Sequence, residues 1–205
     1  MHEPDLPEAL ATDLDDSFEQ LVLAYQNRLY AFALRLSGSP QDAEEITQDA
    51  FVRAYEALRS YAAQRVRDMA LRSWLYQITL NVFRNRVRGH HLQLVALAQE
   101  EDETAMDPAD DPQTRPDALL EQVEFQQKLG ALLAALPERY RVVVVLRHVQ
   151  GLTYGEIAAV VNQPIGTVKS NVHRGLRLLR ETLDEQEKRA QAHPTRRAPR
   201  ERQDT

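Results

Sequence analysis

Residues 152–180, LTYGEIAAVVNQPIGTVKSNVHRGLRLLR, admit few folds, because they spell two short helices with a breaker between them. Thr153 stands three residues before Glu156, the spacing at which a hydroxyl and a carboxylate each satisfy an orphan amide at a helix start. A helix over Tyr154–Val161 is expected to follow. Asn162, Gln163 and Pro164 end it, since proline lacks an amide proton and restricts its predecessor, and Pro164 then suits the start of the next helix. There Val168, Val172, Leu176 and Leu179 recur at three- and four-residue spacing and share one apolar stripe. The opposite face carries Thr167, Ser170, His173, Arg174 and Arg177. Short hydrogen-bonding groups mixed with guanidinium suit base edges and phosphates in a major groove, so the segment reads as a helix-turn-helix.

The net charge of −6 hides a division along the chain. Residues 1–16 carry six acids and no Lys or Arg, and residues 99–117 carry eight acids against Arg115. Residues 59–88 instead hold seven arginines against Asp68, and residues 138–180 hold seven Lys or Arg against Glu138 and Glu156. Two basic segments set between acidic ones fit a nucleic-acid partner that the total charge would not suggest.

Seven glycines in 205 residues, with apolar positions mostly at helical period, predict an all-α protein of two small helical domains. Ser17 with Gln20 is expected to cap a helix to Leu36, and Ser39, Pro40 and Asp42 to open another to Ser60. A third runs over Ala70–Arg88. Residues 96–118 hold Pro108, Pro112 and Pro116 among carboxylates without an apolar period, and read as a flexible acidic linker. Helices resume near Ala118. Val142–Val145 has strand propensity, yet its helical neighbours predict a buried helix. Residues 1–16 read as a disordered acidic N-terminus and residues 184–205 as a disordered basic tail. No cysteine, no apolar run of membrane-spanning length and no signal-peptide character predict a cytoplasmic protein without membrane insertion.

Helix 40–60 would bury Ala43, Ile46, Ala50, Ala54 and Ala57 and project Asp42, Glu45, Asp49 and Glu56 from another face, a stripe suited to a basic helical partner. In helix 70–88, Trp74, Ile78 and Val82 are expected on the core side. Gln77, Asn81, Arg84 and Arg88 line the exposed side, where amides and guanidiniums can hold a strand laid across the helix. Tyr76 and Phe83 fit either role. Arg65, Arg67 and Arg72 precede the helix in an expected loop that could close over an extruded base.

DAEEITQDAFVRAY (42–55), RSWLYQITLNVFRNRVR (72–88) and LPERYRVVVVLRHVQGLTYGEIAAVVNQPIGTVKSNVHRGLRLLR (136–180), in this order, resemble an extracytoplasmic-function RNA polymerase sigma factor of the sigma-70 family. The resemblance covers residues 17–183. It implies a region 2-like domain over 17–95, the linker 96–118 and a region 4-like helix-turn-helix domain over 119–183. Asp42, Glu45, Gln48, Asp49 and Arg53 would face the clamp helices of the largest subunit of core RNA polymerase, with the flap of the second-largest subunit as a further contact. Asn81, Arg84, Asn85 and Arg88, with the 61–72 loop, would hold the melted −10 strand. Lys169, Ser170, Asn171, His173 and Arg174 would lie nearest the duplex −35 element. An anti-sigma factor is a further implied partner.

Gln77, Phe83, Asn85, Asn171 and Gly155 depart from the family's commoner residues, Gly155 at roughly 1 kcal/mol of helix propensity. No metal-ligand pattern, phosphate-cradling glycine loop or nucleophile–base pair points to catalysis, and no cofactor is implied. The alternative is a helix-turn-helix regulator that works without polymerase. It would account for 119–183 and leave the acidic and basic helices of the first half without a task.

Overall fold

A computed structural model describes residues 6–97 and 128–192, and among these every regular element is helical. The elements are α1 (Leu6–Thr12), α2 (Leu14–Ser37), α3 (Pro40–Ser60), α4 (Ala63–Asp68) and α5 (Leu71–Leu97), then α6 (128–134), α7 (Glu138–Val144), α8 (Tyr154–Val161) and α9 (Ile165–Ala192). Residues 98–127, which hold all but the first two positions of the expected linker, and the terminal residues 1–5 and 193–205 lie outside the described residues; α5 runs nine residues past its expected end at Arg88 and takes in 96–97.

α2 and α3 form a long helical hairpin. Gly38 closes α2 in the left-handed region, φ 75°, and returns its amide to the Leu34 carbonyl, a turn that a side chain would strain. Ser39 then caps α3 by accepting from the Asp42 amide at 3.2 Å, with Pro40 in the first turn. The start of α2 differs from expectation: Asp13 rather than Ser17 is the cap, accepting from the Asp16 amide, and Ser17 lies buried inside the helix. Asp13 does the same chemistry one turn earlier, with Asp15 and Asp16 placed favourably in the first turn of the helix dipole.

Two short helices occupy segments expected to be irregular. α1 lies within the N-terminal stretch read as disordered, and α4 within the 61–72 segment read as a loop. At seven and six residues neither would persist alone. Leu6 and Leu10 of α1 and Val66 of α4 are buried, so packing supplies what length does not. Likewise α9 continues to Ala192, across the first residues of the expected tail.

Val142–Val145 is helical and buried, as its neighbours imply, but the helix changes character at its end. Val145–Val149 form a π turn, closed by the Gln150 amide on the Val145 carbonyl at 3.0 Å. The turn is followed by Gly151 in the left-handed region, φ 70°.

The two helical units are not held apart. Their buried side chains form one contiguous apolar cluster from Leu6 to Val172. Tyr76 of α5 is fully buried and meets Phe32 of α2 edge-to-face at 5.2 Å. Its hydroxyl bonds the Gln150 side-chain oxygen at 2.7 Å. Arg141 on α7 donates to the Leu36 carbonyl at 2.7 Å, and to those of Ala134 and Leu136. A cation thus sits on carbonyls at the C-terminal ends of α2 and α6, where the helix dipole favours it.

Candidate nucleic-acid interface

The helix-turn-helix is built from α8 and α9. The Thr153 amide donates to Glu156 Oε2 at 2.7 Å, and the Glu156 amide donates back to Thr153 Oγ1 at 3.2 Å, the reciprocal cap read from the sequence. Burial pushes the Glu156 carboxyl up, but the bonds from Thr153 and the charge of Arg72 outweigh it and leave the group below its ordinary value. Asn162 ends α8 at φ 52°, a conformation asparagine tolerates better than most residues, and α9 begins at Ile165.

Val168 and Val172 are buried, whereas Thr167, Lys169, Ser170, His173, Arg174 and Arg177 are exposed on α9. Leu176 stands 38% exposed, so the buried stripe is narrower than its period suggests. Asn171 is half-buried and its amide reaches the Gln163 oxygen at 3.4 Å, bracing the turn. Arg177 pairs with Glu181 one turn on.

α9 is seated by a close approach. A Cβ at Gly175 would lie 2.6 Å from Val144 Cγ2 and 3.3 Å from Tyr140 Cβ, so only glycine lets α7 and α9 meet here. The Arg139 guanidinium lies 4.6 Å from the Tyr140 ring centroid. Burial pushes the Tyr140 phenol up, but Arg139 and Arg174 together leave it below its ordinary value.

A second cationic group was missed by sequence reasoning. Arg147 and Lys169 both lie over the Tyr154 ring, at 4.8 and 5.7 Å from its centroid. Their separation of 22 positions in the chain left no periodic signal to join them.

The basic half of α5 divides in two. Asn81, Asn85 and Arg88 are exposed, and Gln77 is half-buried. Arg72 instead donates to the Gln150 carbonyl and lies 3.8 Å from Glu156, while Arg84 bonds Glu138 at 2.9 Å. These two cations therefore face the second helical unit. Arg67 pairs with Glu8 of α1 at 2.9 Å. Arg65 stacks on Tyr61, 3.6 Å above its ring.

Trp74 and Ile78, expected in the core with Val82, are half-buried; the core side of α5 is Leu75, Tyr76, Leu80, Val82 and Phe83. The difference is one of rotation, since a continuous apolar helix offers several stripes and tertiary packing selects among them. Trp74 lies 6.1 Å from Tyr61, so two partly open rings and Arg65 form a ledge beside the polar stripe. Such a ledge suits the stacking of unpaired bases. Tyr61 was not singled out from sequence because its partner lies beyond α4.

α3 buries Ala43, Ile46, Ala50 and Ala54 and leaves Ala57 half-buried. Gln48, Asp49 and Arg53 are exposed, and Gln48 bonds Glu44 at 3.3 Å. Asp42 and Glu45 are held from the other side: Arg86 of α5 donates Nε to Asp42 at 3.1 Å and Nη2 to Glu45. Burial pushes the Arg86 guanidinium down, but its two carboxylates outweigh this and raise its pKa. Among the described residues no cluster of three or more His, Asp or Glu could hold a metal, and no helix is long and apolar enough to cross a membrane.

Comparison with known families matches residues 21–92 to sigma-70 region 2 and residues 126–179 to sigma-70 region 4. The chain is 35% identical over 168 residues to the ECF RNA polymerase sigma factor SigE of Mycolicibacterium smegmatis, covering 82% of this chain and 62% of that one. It is 31% identical over 172 residues to SigW of Bacillus subtilis, covering 82% and 89%. Among solved structures it resembles the sigma factor RpoE in complex with the anti-sigma factor NepR from Bartonella quintana. The TM-score is 0.63 at 27% identity, over 82% of this chain and 96% of that one. CnrH in complex with the cytosolic domain of CnrY shares the fold at TM-score 0.64 and 24% identity, over 89% and 97%.

Proposed function

Because the chain belongs to the extracytoplasmic-function RNA polymerase sigma factors of the sigma-70 family, we propose that it binds core RNA polymerase, directs it to particular promoters and promotes melting of the DNA. One observation carries this reading: a single chain exposes a capped helix-turn-helix with a basic outer face and, on a different helix, an amide and guanidinium stripe beside two open rings. The first suits a closed duplex and the second an opened strand.

In this reading Thr167, Lys169, Ser170, Asn171, His173, Arg174 and Arg177 meet the −35 element. Gln77, Asn81, Asn85 and Arg88, with Arg65, Arg67, Arg72 and Arg84, hold the −10 strand. Gln48, Asp49 and Arg53 offer the polymerase clamp an exposed face, and Asp42 and Glu45 reach it only in exchange with Arg86. Arg147 and Tyr154 extend the duplex-binding surface. Capturing a base that has left the stack offsets an extrusion cost of a few kcal/mol, and several edge contacts of about 1–3 kcal/mol each make a usable site.

The chain acts as a specificity subunit without chemistry of its own, in the compartment where the polymerase works. An anti-sigma factor is a further partner, supported by the complex with the anti-sigma factor NepR in which the similar RpoE was solved. A self-sufficient regulator would leave the α3 and α5 faces unused. The test is transcription in vitro with purified core polymerase on a pool of genomic fragments, with and without the chain. Discrete new transcripts are expected, and a polypeptide that does not associate with core polymerase at all overturns the reading.

A further inference from the structure

The seven residues of α1 lie outside residues 21–92, the part matched to sigma-70 region 2, and promoter reading as set out above gives them no task. Their packing does. Leu6 and Leu10 stand one turn apart on one face, and both are buried where α1 lies against α2 and α4. Only Asp13 separates α1 from α2, and its amide still bonds the Ala9 carbonyl at 2.9 Å, so the two helices are fixed to each other.

α4 needs that support. It has six residues, no side-chain cap at its start and one buried side chain, Val66. The neighbours of Val66 project about 100° to either side of it, so seating Val66 in the core beside α1 sets the direction of both. On one side Arg67 bonds Glu8 of α1 at 2.9 Å, and on the other Arg65 lies 3.6 Å over the Tyr61 ring, which meets Trp74 at 6.1 Å. With side chains 37% and 64% exposed, the Arg67–Glu8 pair orients α4 more than it stabilises it. α1 thus reaches, through one short helix, the ledge on which an unpaired base can stack.

We infer that α1 is the brace of the base-capturing ledge, with Leu10 and Glu8 as positioning residues: Leu10 seats α4, and Glu8 sets its rotation through Arg67. The inference rests on the sigma-factor reading and deepens its −10 site. A six-residue helix on its own would be ordered only when the strand arrived, and the entropy lost would be subtracted from the energy of capture. Braced by α1, the ledge meets the extruded base already formed. Residues ahead of the matched region thereby take part in melting without touching DNA.

Trp74 is the only tryptophan of the chain and stands in the ledge, so its fluorescence reports the brace directly. Leu10→Ala in the full chain should raise acrylamide quenching of Trp74 roughly 1.5-fold or more, through local opening. Glu8→Arg should raise it too, by charge repulsion, and adding Arg67→Glu should restore the parent value, a rescue that misfolding would not produce. With core polymerase and a promoter taken from the genomic pool, Leu10→Ala should slow the appearance of permanganate-reactive −10 thymines roughly threefold or more while core binding stays unchanged. The charge swap is read by fluorescence alone, since Arg67 is also a strand contact. Unchanged quenching or unchanged melting in Leu10→Ala, absence of the rescue, or core binding that falls as far as melting overturns the brace. The fluorescence arm needs no polymerase, so a parent chain that binds no core refutes the sigma-factor reading separately, while quenching still decides the brace.

Discussion

Replacing Gly175 with alanine sets helix propensity against packing. A Cβ at this position would sit 2.6 Å from Val144 Cγ2 and 3.3 Å from Tyr140 Cβ, and the first distance lies well inside van der Waals contact. Val144 is 3% exposed and its branched side chain has one strongly preferred rotamer in a helix, so it cannot swing away cheaply. Overpacking of this kind costs about 1–3 kcal/mol, and the rigidity of Val144 places it in the upper half of that range. Alanine returns about 1 kcal/mol of helix propensity, leaving a net loss of about 1–2 kcal/mol. At about 2–4 °C per kcal/mol for a chain of this size, thermal unfolding should fall by about 2–8 °C.

The informative control is Gly155→Ala in α8, where the nearest atom to a new Cβ is Thr153 Oγ1 at 4.0 Å. There only the propensity acts, and the variant should gain up to about 1 kcal/mol. Calorimetry or circular dichroism melts of both variants, with Val144→Ala added to Gly175→Ala to relieve the contact, complete the cycle. Equal or greater stability of Gly175→Ala would refute the packing argument, as would additivity of the two substitutions.

Thr153→Ala should cost about 1 kcal/mol through loss of the cap. The Glu156 carboxyl lies below its ordinary value in the folded state, so its contribution is present above the unfolded carboxylate pKa of about 4.3 and is lost as pH falls through the folded one; urea titrations should therefore show the parent and Glu156→Gln converging below about pH 4. Arg174→Ala should weaken binding to −35 duplex by about 1–3 kcal/mol in a gel-shift titration with the holoenzyme while leaving core association unchanged. Asn81→Ala should slow open-complex formation more than recruitment, read as permanganate reactivity of the −10 thymines. Arg86→Ala should lower stability by about 1 kcal/mol or less, since all three partners are partly exposed, and a larger drop in the denaturant midpoint would mean that the fork carries more of the α3–α5 junction than exposure allows.

Where a signal is local, the sequence was a sound guide at most positions, the exception being Ser17, read as the cap of α2 where Asp13 serves. Ser39 before Pro40 marked the start of α3, and Thr153 with Glu156 marked α8, because a cap is made within four residues. α1 and α4 carry no comparable signal. They exist through Leu6, Leu10 and Val66, whose partners lie far away in the chain. The same limit applies to the site. Periodicity placed Asn81 and Arg88 on an exposed face, where the family resemblance added Asn85, but it could not distinguish Arg84 and Arg72, whose partners lie 54 and 78 residues on. Nor could it foresee that Asp42 and Glu45 would answer to Arg86 on another helix, or that Trp74 would sit at the margin of the core.

The π turn at Val145–Val149 holds one more residue per turn than an α-helix closing the same loop. Winding the same five residues as regular α-helix would swing Gln150 by about 100° around the axis, away from Arg72 and Tyr76, whereas losing the one extra residue would leave Gln150 where it is. The hydrophobic residues before it would keep their places. How tightly the two halves cling together thus turns on the winding of this one turn, with neither the duplex-reading face nor the core rewritten.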